Sequence, residues 1–325
     1  MYAYVVEEAN GPFLRVDLPR PTLRENGVLI RIQASGVNPL DTKIRAGVAA
    51  HAKQPLPAVL GIDMAGTVEE VGSRVTRFKP GDEVYGMVGG VGGLQGTLAE
   101  LIAVDANLIS HKPQSLSMRE AAALPLATIT AWEGLVDRAK VHAGQSVLVH
   151  AGAGGVGNVV IQLARAFGAE VFSTVSSDKS GIVKDLGATP IDYRSLSVED
   201  YIATHGSGDG FDIVFDTVGG ATLDASFLAA KRYTGHVVSA LGWGSHSLAP
   251  LSFRGATYSG VFTLHPLISG EGRVHHGEIL AQVSALADAG KLRPLLYKQN
   301  LKVQDIGIAH DLVASGTLGK VVAEL

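Results

Sequence analysis

Ser146-Val147-Leu148-Val149-His150-Ala151-Gly152-Ala153-Gly154-Gly155-Val156-Gly157 is the stretch on which the fold turns. A short apolar run leads into a glycine-rich turn, and residues 155–167 then read as a helix. The turn matches G-x-G-x-x-G, and it lies where a dinucleotide site needs it, after a strand and at the start of a helix. The first glycine allows the tight turn, the second lets backbone approach a pyrophosphate, and the third lets helix pack on strand. The helix start presents unpaired N–H groups to the phosphates. The expected cradle is Gly152, Ala153, Gly154, Gly155, Val156 and Gly157. A glycine-rich turn that binds nothing is the bland alternative, and the alternating sheet pattern downstream of the turn argues against it.

In that downstream region, residues 170–175, 190–193, 211–218 and 235–241 read as strands, and 178–186, 198–205 and 221–230 as helices. Repeated βαβ units imply a parallel sheet with helices on both faces. The strands are near-continuous apolar runs, as buried parallel strands should be. Upstream, residues 2–6, 27–34, 64–71, 82–87 and 97–104 are short alternating segments broken by Gly and Pro, read as strands. Residues 118–139 are Ala- and Leu-rich and mostly helical, opened by a capping box of Ser117 and Glu120. Helices near 277–289 and 305–315 and a strand at 320–325 close the chain. The 325 residues suggest two domains.

Composition excludes several classes. The chain has 27 Lys+Arg against 31 Asp+Glu, a net charge of −4, which suits neither a nucleic-acid binder nor an acidic tail. Zero Cys removes disulfides, thiolate nucleophiles and every Cys-containing zinc site. No apolar run reaches the ~18 residues of a membrane span, and Met1 to Asn10 lacks a basic region followed by an apolar one. The expectation is a cytoplasmic protein with no membrane and no nucleic-acid partner. The 40 Gly imply many tight turns and close backbone approaches.

An NAD site would place an acidic residue about 20 positions beyond the glycines. Here the second strand runs into Val175-Ser176-Ser177-Asp178-Lys179. Two hydroxyls and a lysine suit a 2′-phosphate, so NADPH is the expected cofactor, with Asp178 read as a first-turn residue of the next helix. Thr217 and Val218, then Leu241 and Gly242, follow the next two strands at their carboxyl ends, where open α/β sheets bind ligands.

Several blocks resemble the medium-chain dehydrogenase/reductase superfamily, in its zinc-independent quinone oxidoreductase branch that includes zeta-crystallin. They are Gly36-Val37-Asn38-Pro39-Leu40-Asp41, Gly61-Ile62-Asp63-Met64-Ala65-Gly66, Lys79-Pro80-Gly81-Asp82, Leu124 to Trp132, the glycine-rich loop, Gly187-Ala188-Thr189 and the terminal Gly319-Lys320-Val321-Val322. The resemblance covers essentially the whole chain. It implies an α/β fold: a GroES-like β-rich catalytic domain over residues 1–118, completed by 263–325, and a Rossmann doubly wound parallel sheet over 119–262 that binds NADPH. The active site lies in the cleft between the two in that family, which commonly forms homodimers through a Rossmann edge strand, here 257–262.

In the zinc-holding members the metal ligands fall where this chain has Asn38, Ile62 and Leu126, so the expectation is no metal. Hydride transfer then favours a quinone or an α,β-unsaturated carbonyl, whose conjugation spreads the incoming charge. The resemblance implies a catalytic group drawn from Asn38, Asp41, Lys43 and Thr128. Lys43 is read as a donor to a ribose hydroxyl or to the substrate oxygen, with an ordinary solvated lysine as the alternative. Asn38 either touches ligand or caps the helix after it, Asp41 orients Lys43 or backbone, and Thr128 or Thr130 faces the nicotinamide. Tyr193 is placed beside the adenosine phosphate and Phe262 over the nicotinamide, each with a core or half-buried reading beside it. His265, His275 and His276 read as surface residues. An enoyl-thioester reductase and an NADPH-binding structural or sensor protein without turnover are the competing functions.

Overall fold

The strand Gly27–Val37 organises one of the two units of this computed structural model, which describes residues Met1 to Leu325. Its sequence GVLIRIQASGV is buried except at Arg31 and Gln33, so it must be covered on both faces. It pairs antiparallel with Asp63–Val71, Leu101–Asp105 and Val321–Glu324. Glu83–Met87 and Ile109–His111 extend one edge of that sheet, and Leu301–Lys302 lies at the other. Leu14–Asp17, Tyr2–Val6 and Ala58–Val59 form a separate three-stranded sheet. Leu29, Ile30, Met64, Tyr85, Met87 and Ile102 are among the fully buried side chains of this β-rich unit.

The unit comprises Met1–Leu126 with Leu264–Leu325, and the other is Ala127–Thr263. The helix Met118–Ala122 therefore lies in the first unit, past the expected boundary at 118. A β-carbon on Gly36 would sit 2.2 Å from the Ala122 carbonyl oxygen, so the bare glycine lets the helix press onto the central strand. Its capping box forms as expected, with the Ser117 N–H donating to Glu120 Oε2 at 2.9 Å and the Glu120 N–H to Ser117 Oγ at 3.3 Å. The helical stretch 118–139 is divided into three: Met118–Ala122, Pro125–Trp132 and a π-helical turn at Glu133–Arg138. Pro125 has no N–H to continue the first helix and begins the second. His276, expected at the surface, is buried. Its helix Arg273–Asp288 packs against residues 106–111, close enough that a β-carbon on Gly277 would meet the Asn107 carbonyl at 2.7 Å.

The second unit holds a six-stranded sheet in the order Thr189–Asp192, Glu170–Val175, Ser146–His150, Ile213–Asp216, His236–Ser239, Thr257–Gly260. Every neighbouring pair is parallel. Numbered by chain order this is 3-2-1-4-5-6, the doubly wound arrangement whose switch point lies beside its first strand. Leu148, Phe172, Phe211, Val214, Phe227 and Val237 pack in its core. No helix in the molecule is long and apolar enough to cross a membrane.

Candidate active site

The glycine-rich turn sits at that switch point. A β-carbon on Gly152 would lie 2.1 Å from Ser173 Oγ, and one on Gly157 would lie 2.3 Å from the Ala151 carbonyl oxygen. These two glycines let strand, turn and helix Gly157–Ala166 approach one another. Gly154 and Gly155 are different: both are exposed, and a β-carbon on Gly155 would meet nothing. Their bareness serves no internal packing, so it leaves room for a ligand. The N–H groups of Gly155, Val156 and Gly157 find no backbone acceptor, while Asn158 Nδ2 donates to the carbonyls of Gly154 (2.7 Å) and Gly155 (2.9 Å) and turns them from the mouth. Buried Ala153 completes the turn. The chemistry of this cradle fits a pyrophosphate.

At the far end of the second strand the serines are engaged. Ser177 Oγ donates to Asp192 Oδ2 at 2.6 Å, and the Ser176 hydroxyl bonds the Asp178 carboxylate and holds it below the usual carboxylate range. The Ser177 hydroxyl and the Arg194 N–H do the same for Asp192. Lys179 and Arg194 lie close enough to lower the Asp178 carboxyl by charge. Tyr193 is 54% exposed, which removes the half-buried strand reading, and the Arg194 guanidinium stacks 5.7 Å from its ring centroid. Sequence reading does not single out Asp192 and Arg194; their position after the third strand is the available signal.

Further along the carboxyl edge, Thr217 Oγ1 donates to the His150 carbonyl at 2.7 Å, and Val218 is exposed. Asp216, equally unmarked in the sequence, ties two loops together. Its Oδ1 accepts from the N–H groups of Val218 and Gly219, each at 3.0 Å, and its Oδ2 from Ser239 Oγ at 2.7 Å. Ser239 Oγ in turn accepts from the Leu241 N–H at 3.1 Å. Gly242 is bare because a β-carbon there would strike the Tyr258 hydroxyl at 2.2 Å. Phe262 is 38% exposed and meets Trp243 edge-on, with ring centroids 6.4 Å apart. His150 is buried, shares a hydrogen bond with Thr174 Oγ1 at 2.9 Å, and burial pushes its pKa down to about 4.

The β-rich unit contains a buried polar cluster, assembled by strand register. Val321 pairs with Val37 and Gly36 with Asp63, so Lys320, Asn38 and Asp63 converge from three strands' ends. Asn38 Nδ2 donates to Asp63 Oδ2 at 3.0 Å, Lys320 Nζ donates to Asn38 Oδ1 and, at 3.3 Å, to Asp63 Oδ2. Asp63 Oδ1 accepts from the Leu126 N–H at 3.0 Å. Burial raises the Asp63 carboxyl, opposed first by the Lys320 charge. Asn38 stands at the N-cap of the helix Pro39–Arg45 but its side chain makes no cap bond. Asp41 supplies the reciprocal bond, its Oδ2 accepting from the Asn38 N–H at 2.8 Å. Asp41 Oδ1 is buried without a partner, and burial pushes the carboxyl up to about 7.

Lys43, on the same helix, is exposed and forms no hydrogen bond or ion pair, so Asp41 does not orient it. Thr128 and Thr130 are buried in Pro125–Trp132. Asp63 and Lys320 belong to the resembling blocks, yet sequence reading marks neither as a site residue. An ionisable residue beside an apolar strand is the signal each carries, but their pairing becomes visible only with the sheet register.

Comparison with known proteins agrees with this geometry. The alcohol dehydrogenase GroES-like domain family matches residues 24–114 and the zinc-binding dehydrogenase family residues 186–322. The crystal structure of an alcohol dehydrogenase superfamily protein from Novosphingobium aromaticivorans is 56% identical, with a TM-score of 0.98 over 100% of this chain and 99% of that one. A 2-methylene-furan-3-one reductase of Solanum lycopersicum is 39% identical over 85% of this chain, and an NADPH-dependent alkenal/one oxidoreductase of Arabidopsis thaliana 38% identical over 85%. This chain spans 65% and 66% of the length of those two relatives. Asn38, Ile62 and Leu126 stand at the ligand positions of the zinc-holding members, and no three His, Asp or Glu side chains are grouped to hold a metal ion. The chain belongs to the medium-chain dehydrogenase/reductase superfamily, in its zinc-independent, quinone-oxidoreductase-like branch.

Proposed function

We propose that this protein is an NADPH-dependent oxidoreductase that transfers hydride, without a metal, to an α,β-unsaturated carbonyl or quinone. The observation that carries the reading is an intact nucleotide cradle, open at Gly154 and Gly155, in a chain whose zinc positions hold an amide and two apolar side chains. The relatives named for alkenal/one and furanone reduction support the acceptor class.

Bound NADPH would supply the hydride. The chain's own residues bind, orient and stabilise. The N–H groups of Gly155, Val156 and Gly157 hold the pyrophosphate, and Thr217, Val218, Leu241, Gly242 and Phe262 line the carboxyl edge toward the nicotinamide. Ser176, Ser177, Lys179, Tyr193 and the added Arg194 receive the 2′-phosphate, with Ser177 turning from Asp192. Asn38 and Lys43 donate to the oxygen on which enolate charge develops; a preorganised donor of this type contributes roughly 2.7–4 kcal/mol in a dry site. Asp41 holds the Asn38 backbone, and Thr128 packs at the nicotinamide end. We assign the protein to the cytoplasm and to a homodimer that pairs the edge strand Thr257–Gly260, whose outer side has no strand partner.

Steady-state NADPH and NADH oxidation against naphthoquinone, a short alkenone and crotonyl-CoA tests the reading, with metal analysis of the same sample. NADPH consumption with the alkenone or quinone in zinc-free protein is expected. Tight NADPH binding with no consumption by any acceptor overturns it, as does stoichiometric Zn²⁺ whose removal abolishes activity.

A further inference from the structure

Asn38 is buried, and its amide is steered on both sides. An ammonium only donates, so Lys320 requires the Asn38 oxygen to face it, and a carboxylate only accepts, so Asp63 requires the amide nitrogen. The orientation of a primary amide is otherwise ambiguous by half a turn; here the pair Lys320 and Asp63 allows one setting. It leaves one of the two Nδ2 hydrogens bound to Asp63 and the other unassigned.

The same carboxylate reaches further. Through Oδ2 it holds Asn38 and through Oδ1 the backbone of Leu126, while Ile62 is its neighbour in the chain. These are the three positions at which the zinc-holding members bind their metal. In this chain they are tied by one anion, and that anion is compensated by one ammonium whose side chain is 10% exposed.

We propose that Lys320 is a positioning residue: with Asp63 it takes over the organising role of the bound cation in the zinc-holding branch, and it keeps the second Asn38 amide hydrogen directed at the oxygen of a conjugated acceptor. This rests on the enone or quinone reading above. Loss of the ammonium frees the amide to rotate and leaves Asp63 buried without its counter-charge, which a single substitution would punish in stability as well. The double substitution Lys320→Met with Asp63→Leu removes both charges and so separates folding from positioning.

The experiment compares wild type, Lys320→Met, Lys320→Arg and the double variant by melting temperature, NADPH affinity from fluorescence, alkenone kcat and KM, and 4-nitrophenolate binding to protein loaded with NADP⁺. The phenolate probes the oxyanion donor without turnover. Lys320→Met is expected to lower kcat and weaken phenolate binding about tenfold each, with NADPH affinity within about twofold, and Lys320→Arg to recover most of both. The double variant should regain melting temperature but not kcat or phenolate binding. Unchanged kcat and phenolate binding in a folded variant overturn the proposal. A loss confined to NADPH affinity also overturns it, by making Lys320 a nucleotide ligand. If wild type reduces no acceptor yet binds phenolate in a Lys320-dependent way, the positioning role stands and the enone reading falls; enone reduction indifferent to Lys320 gives the reverse.

Discussion

Replacing Asp41 by Asn should change how stability depends on pH, and the sign follows from the carboxyl's surroundings. Asp41 is buried, with Oδ2 on the Asn38 N–H and Oδ1 without a partner. Desolvation pushes its pKa from 3.8 up to about 7; the Asn38 N–H opposes the shift and the Asp63 charge adds to it. In acid below the unfolded value, both states carry the proton and the group's contribution is fully present. As pH rises toward 7 the unfolded chain releases its proton first, so the folded state loses about 1.4 kcal/mol per pH unit. Over that window the loss reaches at most about 4 kcal/mol, and above it the contribution is gone. Asn cannot ionise, and its side-chain oxygen still accepts from the Asn38 N–H. Relative to wild type, Asp41→Asn should therefore gain stability steadily from about pH 4 to about pH 7 and then level off. Urea unfolding of both proteins across that series gives the difference directly, since other titrating groups cancel. A difference constant to within about 0.5 kcal/mol would show that the carboxyl is already ionised in the fold, and the burial argument would fail.

Gly155→Ala should leave the melting temperature unchanged, because a β-carbon there meets nothing, and weaken NADPH binding about tenfold in a fluorescence titration. By contrast Gly157→Ala forces a β-carbon to 2.3 Å from the Ala151 carbonyl; it should lower the midpoint of thermal unfolding by several degrees. Ser177→Asp adds a carboxylate beside Asp192 and should move the NADPH-to-NADH ratio of kcat/KM toward NADH by about tenfold or more; an unmoved ratio removes Ser177 from the 2′-phosphate site. Lys43→Met should reduce alkenone kcat more than NADPH affinity, and unchanged turnover would return this exposed lysine to the solvated surface.

The Rossmann sheet is legible in the sequence because its signals are local. Each strand is a short apolar run, each helix has its own period, and the glycine-rich turn joins one to the other within a dozen residues. The capping box at Ser117 is readable for the same reason. The helix break at Pro125 carries a local signal too, yet the Ala- and Leu-rich composition around it hides the boundary. What sequence reading does not supply is pairing at a distance. Lys320 and Asp63 meet only because Val321 registers with Val37 and Asp63 with Gly36, and no periodicity encodes a contact between residues 257 positions apart. Ser177 shows the complementary failure: its type suits a phosphate, but its partner in the structure is Asp192, fifteen positions on.

The strand Val321–Glu324 is laid against Val37 and its neighbours only after the ribosome has made everything from Ala127 to Thr263. The nascent chain must therefore carry a half-built sheet, with the edge beyond Val37 bare, while the intervening unit emerges with all six of its strands already in hand. Folding in the cell should proceed from the middle outward, and the interval before the last strand arrives is when the exposed edge most needs a chaperone.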